Sequence, residues 1–154
     1  MNSANAAANY ASVVFLKIQE FARRPAQEQA RLRAQLEAVV AVTTADLAPS
    51  GWVALDAADG IAIAVLGDPE GALRLAQRSL TAAAAGLPLC VGVNHGAVQV
   101  TAGGRGPDGM TGDGIAVAAS VAEFAASTRV LISRSFREAL ADAVRSGSGR
   151  PVHV

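Results

Sequence analysis

Few residues of this 154-residue chain could do chemistry, and they are scattered along it. Glu20, Asp56 and Asp59 are carboxylates, hard oxygen donors of the kind that hold Mg²⁺ or Ca²⁺. Asp56 and Asp59 sit in a short turn ending at Gly60, where acidic residues more often serve only to form the turn. His95 has no second histidine or carboxylate at ligand spacing, and His153 is remote at the end of the chain, so His95 reads as a structural or exposed histidine. Cys90, the single cysteine, lies in the apolar run 87–93. It cannot form an internal disulfide, and with no cation near it in sequence it reads as a small buried hydrophobe rather than a nucleophile. Residues 103–114 are rich in glycine but lack the Gly-Lys-Ser/Thr ending of a phosphate-cradling loop, so they read as a long flexible hairpin loop.

The elements that must position these groups are legible as alternating strands and helices. Residues 10–18 mix β-branched and aromatic types in a short apolar run and predict a buried strand. Pro25 punctuates, and 27–43 predict an amphipathic helix, with Ala30, Leu32, Leu36, Val39, Val40 and Thr43 near three-four spacing. Segments 52–55 and 61–66, joined by the Asp/Gly turn 56–60, predict a β-hairpin. Asp68, Pro69 and Glu70 mark a helix start, through a side-chain cap, a proline in the first turn and a carboxylate at the positive end of the dipole. That helix is expected to reach about residue 85 and stop at Gly86.

Segments 89–94 and 97–101, with His95 and Gly96 between them, predict a second strand pair or one bent strand. Asp113 is the expected cap of a small-residue helix over 115–126, followed by a strand at 130–132 and a helix over 136–144 started by Ser133. Residues 146–150 read as a flexible linker and 151–154 as a candidate edge strand. The interleaving predicts an α+β fold: a ferredoxin-like core with a mostly antiparallel or mixed sheet covered by helices. Residues 1–9 are expected to be a disordered tail and 10–154 a single domain.

Composition narrows the function. The chain is 51% hydrophobic with only one Trp, one Tyr and four Phe, so its core must rely on close approach of small side chains, and a domain of this size buries roughly 70% of its unfolded surface. Thirteen Lys and Arg balance thirteen Asp and Glu, which removes the field that concentrates nucleic acids. Residues 1–12 lack basic residues ahead of an apolar core, unlike a secretory signal. The longest apolar stretch, 80–93, is broken by Gly86 and Pro88 and falls short of the roughly 20 residues that span a bilayer. The expectation is a cytoplasmic domain with no direct membrane contact of its own; the linker and abrupt ending read as a piece trimmed from a longer protein, with a complete small protein as the alternative.

Four segments, in order, resemble the class III adenylyl/guanylyl cyclase catalytic domain over most of the chain. They are Phe15-Leu16-Lys17-Ile18-Gln19-Glu20-Phe21 for the family's first metal-binding strand, and Ala58-Asp59-Gly60 for its glycine-aspartate turn. Val91-Gly92-Val93-Asn94-His95-Gly96 stands for a later strand, and the run from Gly112 to Ser120 for the helix that carries the family's catalytic asparagine and arginine.

The resemblance implies a class III cyclase-like fold, and it also implies that the site is degenerate. The family holds two metal ions with two aspartates to activate the 3′-hydroxyl and neutralise phosphates. Lys17, the only lysine of the chain, stands at the first of those positions, and Asp59 is the only retained metal ligand, so neither metal nor cofactor is expected. Ala116 and Ser120 replace the asparagine and arginine, and Leu55 replaces the base-selecting lysine; Gly109 and Thr111 bracket the second base-selecting position. A Lys17–Asp59 salt bridge in place of the metal is the favoured arrangement, because the family places both positions on adjacent strands. In the family the 103–114 region adds to the dimer surface, which gives Arg105 and Met110 a partner-facing role. The function expected is a catalytically inactive, dimerising signalling module, a homodimer or a heterodimer with a cyclase-like domain. The alternatives are a nucleotide or small-ligand sensor and a divergent active cyclase.

Overall fold

The computed structural model describes residues 9–83, 86–100, 110–126 and 129–147. Its strands are β1 (Asn9–Ile18), β2 (Trp52–Ala57), β3 (Gly60–Leu66), β4 (Leu89–Val100), β5 (Met110–Thr111) and β6 (Val130–Ile132). Its helices are α1 (Ala26–Thr43), α2 (Pro69–Ala83), α3 (Asp113–Glu123) and α4 (Arg134–Gly147), with single 3-10 turns at Phe21–Arg23 and Pro49–Gly51. The strands lie in the order β2-β3-β1-β4-β5, and β6 also pairs with β4. Every pairing is antiparallel except β4 with β6, which is parallel. The α+β fold with a mostly antiparallel sheet is as the sequence predicts.

β1 sits at the centre. It pairs with β3 from Ala11↔Leu66 to Lys17↔Gly60 and with β4 from Asn9↔Val98 to Ile18↔Leu89. Successive strand residues point to opposite faces. Val14, Leu16 and Ile18 join Ile61, Ile63, Val65, Val91 and Val93 on one face, under Leu32, Leu36 and Val39 of α1, Leu75 of α2 and Phe136 of α4. Ala11, Val13 and Phe15 join Ala62, Ala64 and Val98 on the other, under Ala118 and Ala122 of α3. Large residues thus fill the three-helix side, while the single-helix side combines Val13, Phe15 and Val98 with alanines on β1, β3 and α3.

The small side chains bring α3 almost into backbone contact with β4. A Cβ at Gly92 would lie 2.3 Å from the Ala122 nitrogen, and one at Gly96 would lie 3.0 Å from the Gly114 Cα. Gly114, Ala118 and Ala122 are the buried residues of α3, spaced four apart so that they share one helix face.

Several boundaries differ from the sequence reading. Of the two readings of 89–101, the strand pair is excluded and the single strand holds through residue 100, because β1 pairs with it across Asn94, His95 and Gly96 and leaves no backbone group needing a turn. The β2 strand runs on to Ala57, two residues further than expected. Asp113 does not cap α3: it is the helix's first residue, and Gly112 holds the cap position at φ 134°, a conformation that favours glycine. That helix also ends at Glu123, as Phe124 and Ala125 close back onto the carbonyls of Val121 and Ala122. The Asp68 cap is as read, with Oδ1 accepting from the Gly71 amide at 2.9 Å. The expected flexible loop contains β5 at 110–111; residues 101–109, most of the linker and the candidate edge strand at 151–154 lie outside the described residues.

The α3 seam yields a prediction. Gly92→Ala drives a methyl into α3 backbone and should destabilise the fold by about 2 kcal/mol, in the range for overpacking. Gly51→Ala, whose Cβ would meet only Ala48 at 3.9 Å, should be near neutral. Urea midpoints of the two variants check this.

Candidate functional site

The site is built at the end of β1. Alternation puts Lys17 on the α3 face, where it stands opposite Gly60 of β3 and Cys90 of β4. Asp59 lies in the two-residue turn between β2 and β3, and its carbonyl accepts the Ile18 amide at 2.8 Å, which fastens the turn to the strand. Across that junction Lys17 Nζ donates to Asp59 Oδ2 at 2.9 Å. The side chains are 18% and 36% exposed, so the pair is partly shielded from solvent. The hydrogen bond to Asp59 raises the Lys17 pKa above its ordinary value against a lowering by burial, and the charges of Asp59, Glu123 and Cys90 add to the rise. The ion pair favoured in the sequence reading is present.

The surroundings amend that reading in one respect. No cation lies near Cys90 in sequence, yet the β1–β4 register sets Lys17 beside it. Burial still pushes the thiol up, outweighing the pull of Lys17 toward the thiolate, so the cysteine remains a buried hydrophobe. Glu123, at the end of α3, is a further charge that acts on Lys17. Sequence reasoning missed it, since the two residues are brought together only by the packing of α3 on the sheet.

The other positions that the resemblance singles out lie on several elements. Leu55 is half-buried on β2 and packs against the small-residue cluster. Ala116 and Ser120 are exposed on α3, one turn apart and so on the same helix face. Val117 is 43% exposed and Phe124, just past the helix, 81% exposed. Glu20 is exposed in the left-handed region at φ 53°, and Asp56 is exposed on β2. Thr111 is in β5; Gly109 and Arg105 lie outside the described residues, as do the side chains of Thr111 and Met110. Among the described residues no three His, Cys, Asp or Glu side chains converge to hold a metal ion. A single carboxylate already bonded to an ammonium does not fit a two-metal centre, which needs several hard oxygen donors.

His95 belongs to a separate cluster at the other end of β1. Its Nδ1 lies 3.2 Å from the Ser12 hydroxyl, its ring stacks on Tyr10 at 6.0 Å between centroids, and burial lowers its pKa. Beside it Asn94 donates to the Gly114 carbonyl at 3.1 Å and accepts from Ser135 at 2.8 Å, tying α3 and α4 to β4. These bonds satisfy buried polar groups, in keeping with a structural histidine. Two clefts of about 300 and 460 Å³ lie between α1 and α2, on the opposite side of the sheet from Lys17.

No family model matches the sequence, and no curated protein matches it. Solved structures do. The guanylate cyclase domain of RhGC from Catenaria anguillulae, in complex with GTP, superposes with a TM-score of 0.63 at 16% identity, covering 84% of this chain and 81% of that one. The non-canonical dimeric guanylyl cyclase domain of the RhoGC fusion protein from Blastocladiella emersonii gives 0.63 at 16% identity, covering 87% and 84%. The adenylyl cyclase CyaB from P. aeruginosa gives 0.57 at 17% identity, covering 88% and 82%. At these identities the likeness establishes the fold.

The ion pair has a pH signature. Lys17 has a folded-state pKa above its unfolded value of about 10.4, so its stabilisation is fully present below pH 10.4 and is lost as pH rises through the raised folded value. Asp59→Asn should therefore lower stability by up to about 1 kcal/mol at neutral pH, the ceiling for an exposed pair. The deficit should close above pH 10.4. Urea unfolding of both proteins from pH 7 to 11.5 checks it.

Proposed function

From a chain with the fold of the class III cyclase catalytic domain, we propose a regulatory module that dimerises and does not cyclise nucleoside triphosphates. The observation that carries this reading is the 2.9 Å contact between Lys17 and Asp59. By the resemblance, this is where two carboxylates would grip the metals. A divalent cation entering here meets an ammonium instead. At about 4 Å and an effective dielectric constant near 20, that repulsion is about 4 kcal/mol for each unit of cation charge. The cation would also have to displace Lys17 from its partner.

Three further positions that the resemblance singles out support the reading. Transition-state charge on phosphate oxygens is stabilised by preorganised donors, and losing one such donor lowers the rate by roughly a hundredfold or more. Ala116 offers no donor, and Ser120 offers a short neutral hydroxyl where the family has a guanidinium. Leu55 puts an aliphatic side chain where a lysine would read the base. The losses fall on metal binding, charge stabilisation and base recognition together.

Dimerisation is the positive half of the proposal. The outer surface of α3 and its neighbours exposes Val117, Phe124 and Leu131, large apolar residues of the kind that anchor interfaces when they cluster. The partner is a second copy or another cyclase-like domain, and a cytoplasmic location belongs to the same reading; no described helix is long and apolar enough to cross a membrane.

Two measurements test the halves separately. Incubation with ATP or GTP and Mn²⁺ should yield no cyclic nucleotide; metal-dependent product that Asp59→Ala abolishes would overturn the inactive reading. Calorimetric binding of a nucleotide without turnover would instead make the domain a sensor. Sedimentation velocity should show a dimer that the Val117→Arg/Phe124→Glu double variant shifts to monomer, and a monomer at all concentrations of the wild-type protein would remove the self-association.

A further inference from the structure

The ion pair lies on the α3 face of the sheet, but one of the groups that holds its turn comes from the other face. Arg33 belongs to α1, on the three-helix side. Its Nη1 donates to the Gly60 carbonyl at 2.9 Å, and its Nη2 donates to the carbonyls of Ala57 at 2.7 Å and Ala58 at 3.1 Å. All three acceptors are backbone carbonyls of the turn that carries Asp59. The guanidinium also lies over the Phe21 ring at 5.5 Å. Gln29, one turn earlier on α1, donates to the Phe21 carbonyl at 2.9 Å, so the backbone that carries the ring is tied to the same helix.

We infer that Arg33 is a positioning residue for the Asp59 carboxylate: reaching round the open end of the sheet, it gathers the carbonyls of the β2–β3 turn and holds Asp59 against Lys17. The physical reason is one of relative strength. A partly exposed ion pair contributes little and cannot by itself hold a two-residue turn in one orientation. Hydrogen bonds from a charged donor are about twice as strong as neutral ones, and a planar fork serves several acceptors with little loss of side-chain freedom. With Ile18 holding the Asp59 carbonyl on one side and Arg33 gathering its neighbours on the other, the turn has little freedom left.

This inference goes beyond the proposed function and needs only the geometry of the pair, so it stands whether or not the domain is catalytic. Because Lys17 is the only lysine, amine acylation followed by peptide mapping reads Lys17 separately from the N-terminal amine. A hydrogen-bonded ammonium must leave its partner before it reacts. Arg33→Met should raise the Lys17 acylation rate about fivefold, the factor for losing one ordinary hydrogen bond, toward the rate of Asp59→Asn. Arg33→Lys, retaining a single donor group, should fall between. Val39→Ala, which loosens α1 without touching the turn, should react like wild type.

A folded Arg33→Met protein with the wild-type Lys17 rate would overturn the inference, and so would an equal rise in Val39→Ala. Should Arg33→Met fail to fold, Arg33→Lys decides: an intermediate rate supports the positioning role and a wild-type rate overturns it.

Discussion

A strand hydrogen-bonded along both edges and covered on both faces has room for a charge only at its end. β1 is such a strand: between β3 and β4, its residues from Ala11 to Leu16 are all buried. The one polar side chain inside that run, Ser12, is bonded to His95. Lys17 is the first position where a long cationic side chain can keep its head near water while its stem lies along the sheet. The β2–β3 turn closes over that same end and delivers Asp59. The charge centre of the domain is thus a consequence of where the central strand runs out of cover.

The two faces of the sheet differ in thickness. On the three-helix side, Leu, Ile, Val and Phe136 make an ordinary aliphatic core. On the α3 side, glycine and alanine allow a helix to lie on β4 at backbone distance. α3 is held by the packing of Ala118 and Ala122 on the sheet and by Asn94, whose side chain reaches the Gly114 carbonyl. Ala116, Val117 and Ser120 face outward on this helix.

The end of the sheet at Lys17 is a junction of weak contacts that hold one another. The ion pair, the Ile18 amide, the three carbonyls under Arg33 and the Phe21 ring each contribute modestly. Their shared geometry is what gives the turn one orientation, since the groups that would otherwise be freed by moving it are satisfied in the same place.

The sequence by itself determined the order of the long elements, the hairpin, the Asp68 cap and the apolar run of β1, because these depend on local backbone preference, on the length of an apolar run and on the 3.6-residue period of helices. The resemblance carried by short motifs pointed to Lys17 and Asp59 as neighbours 42 positions apart, and the fold brought them together. Only the tertiary structure decided that 89–100 is one strand, since the choice between a turn and a continuous ladder rests on whether β1 lies alongside it. It alone set Lys17 beside Cys90, brought the charge of Glu123 to bear on it, and set Arg33 under the turn. Those contacts join residues distant in sequence through register and helix docking, and neither leaves a mark in local composition.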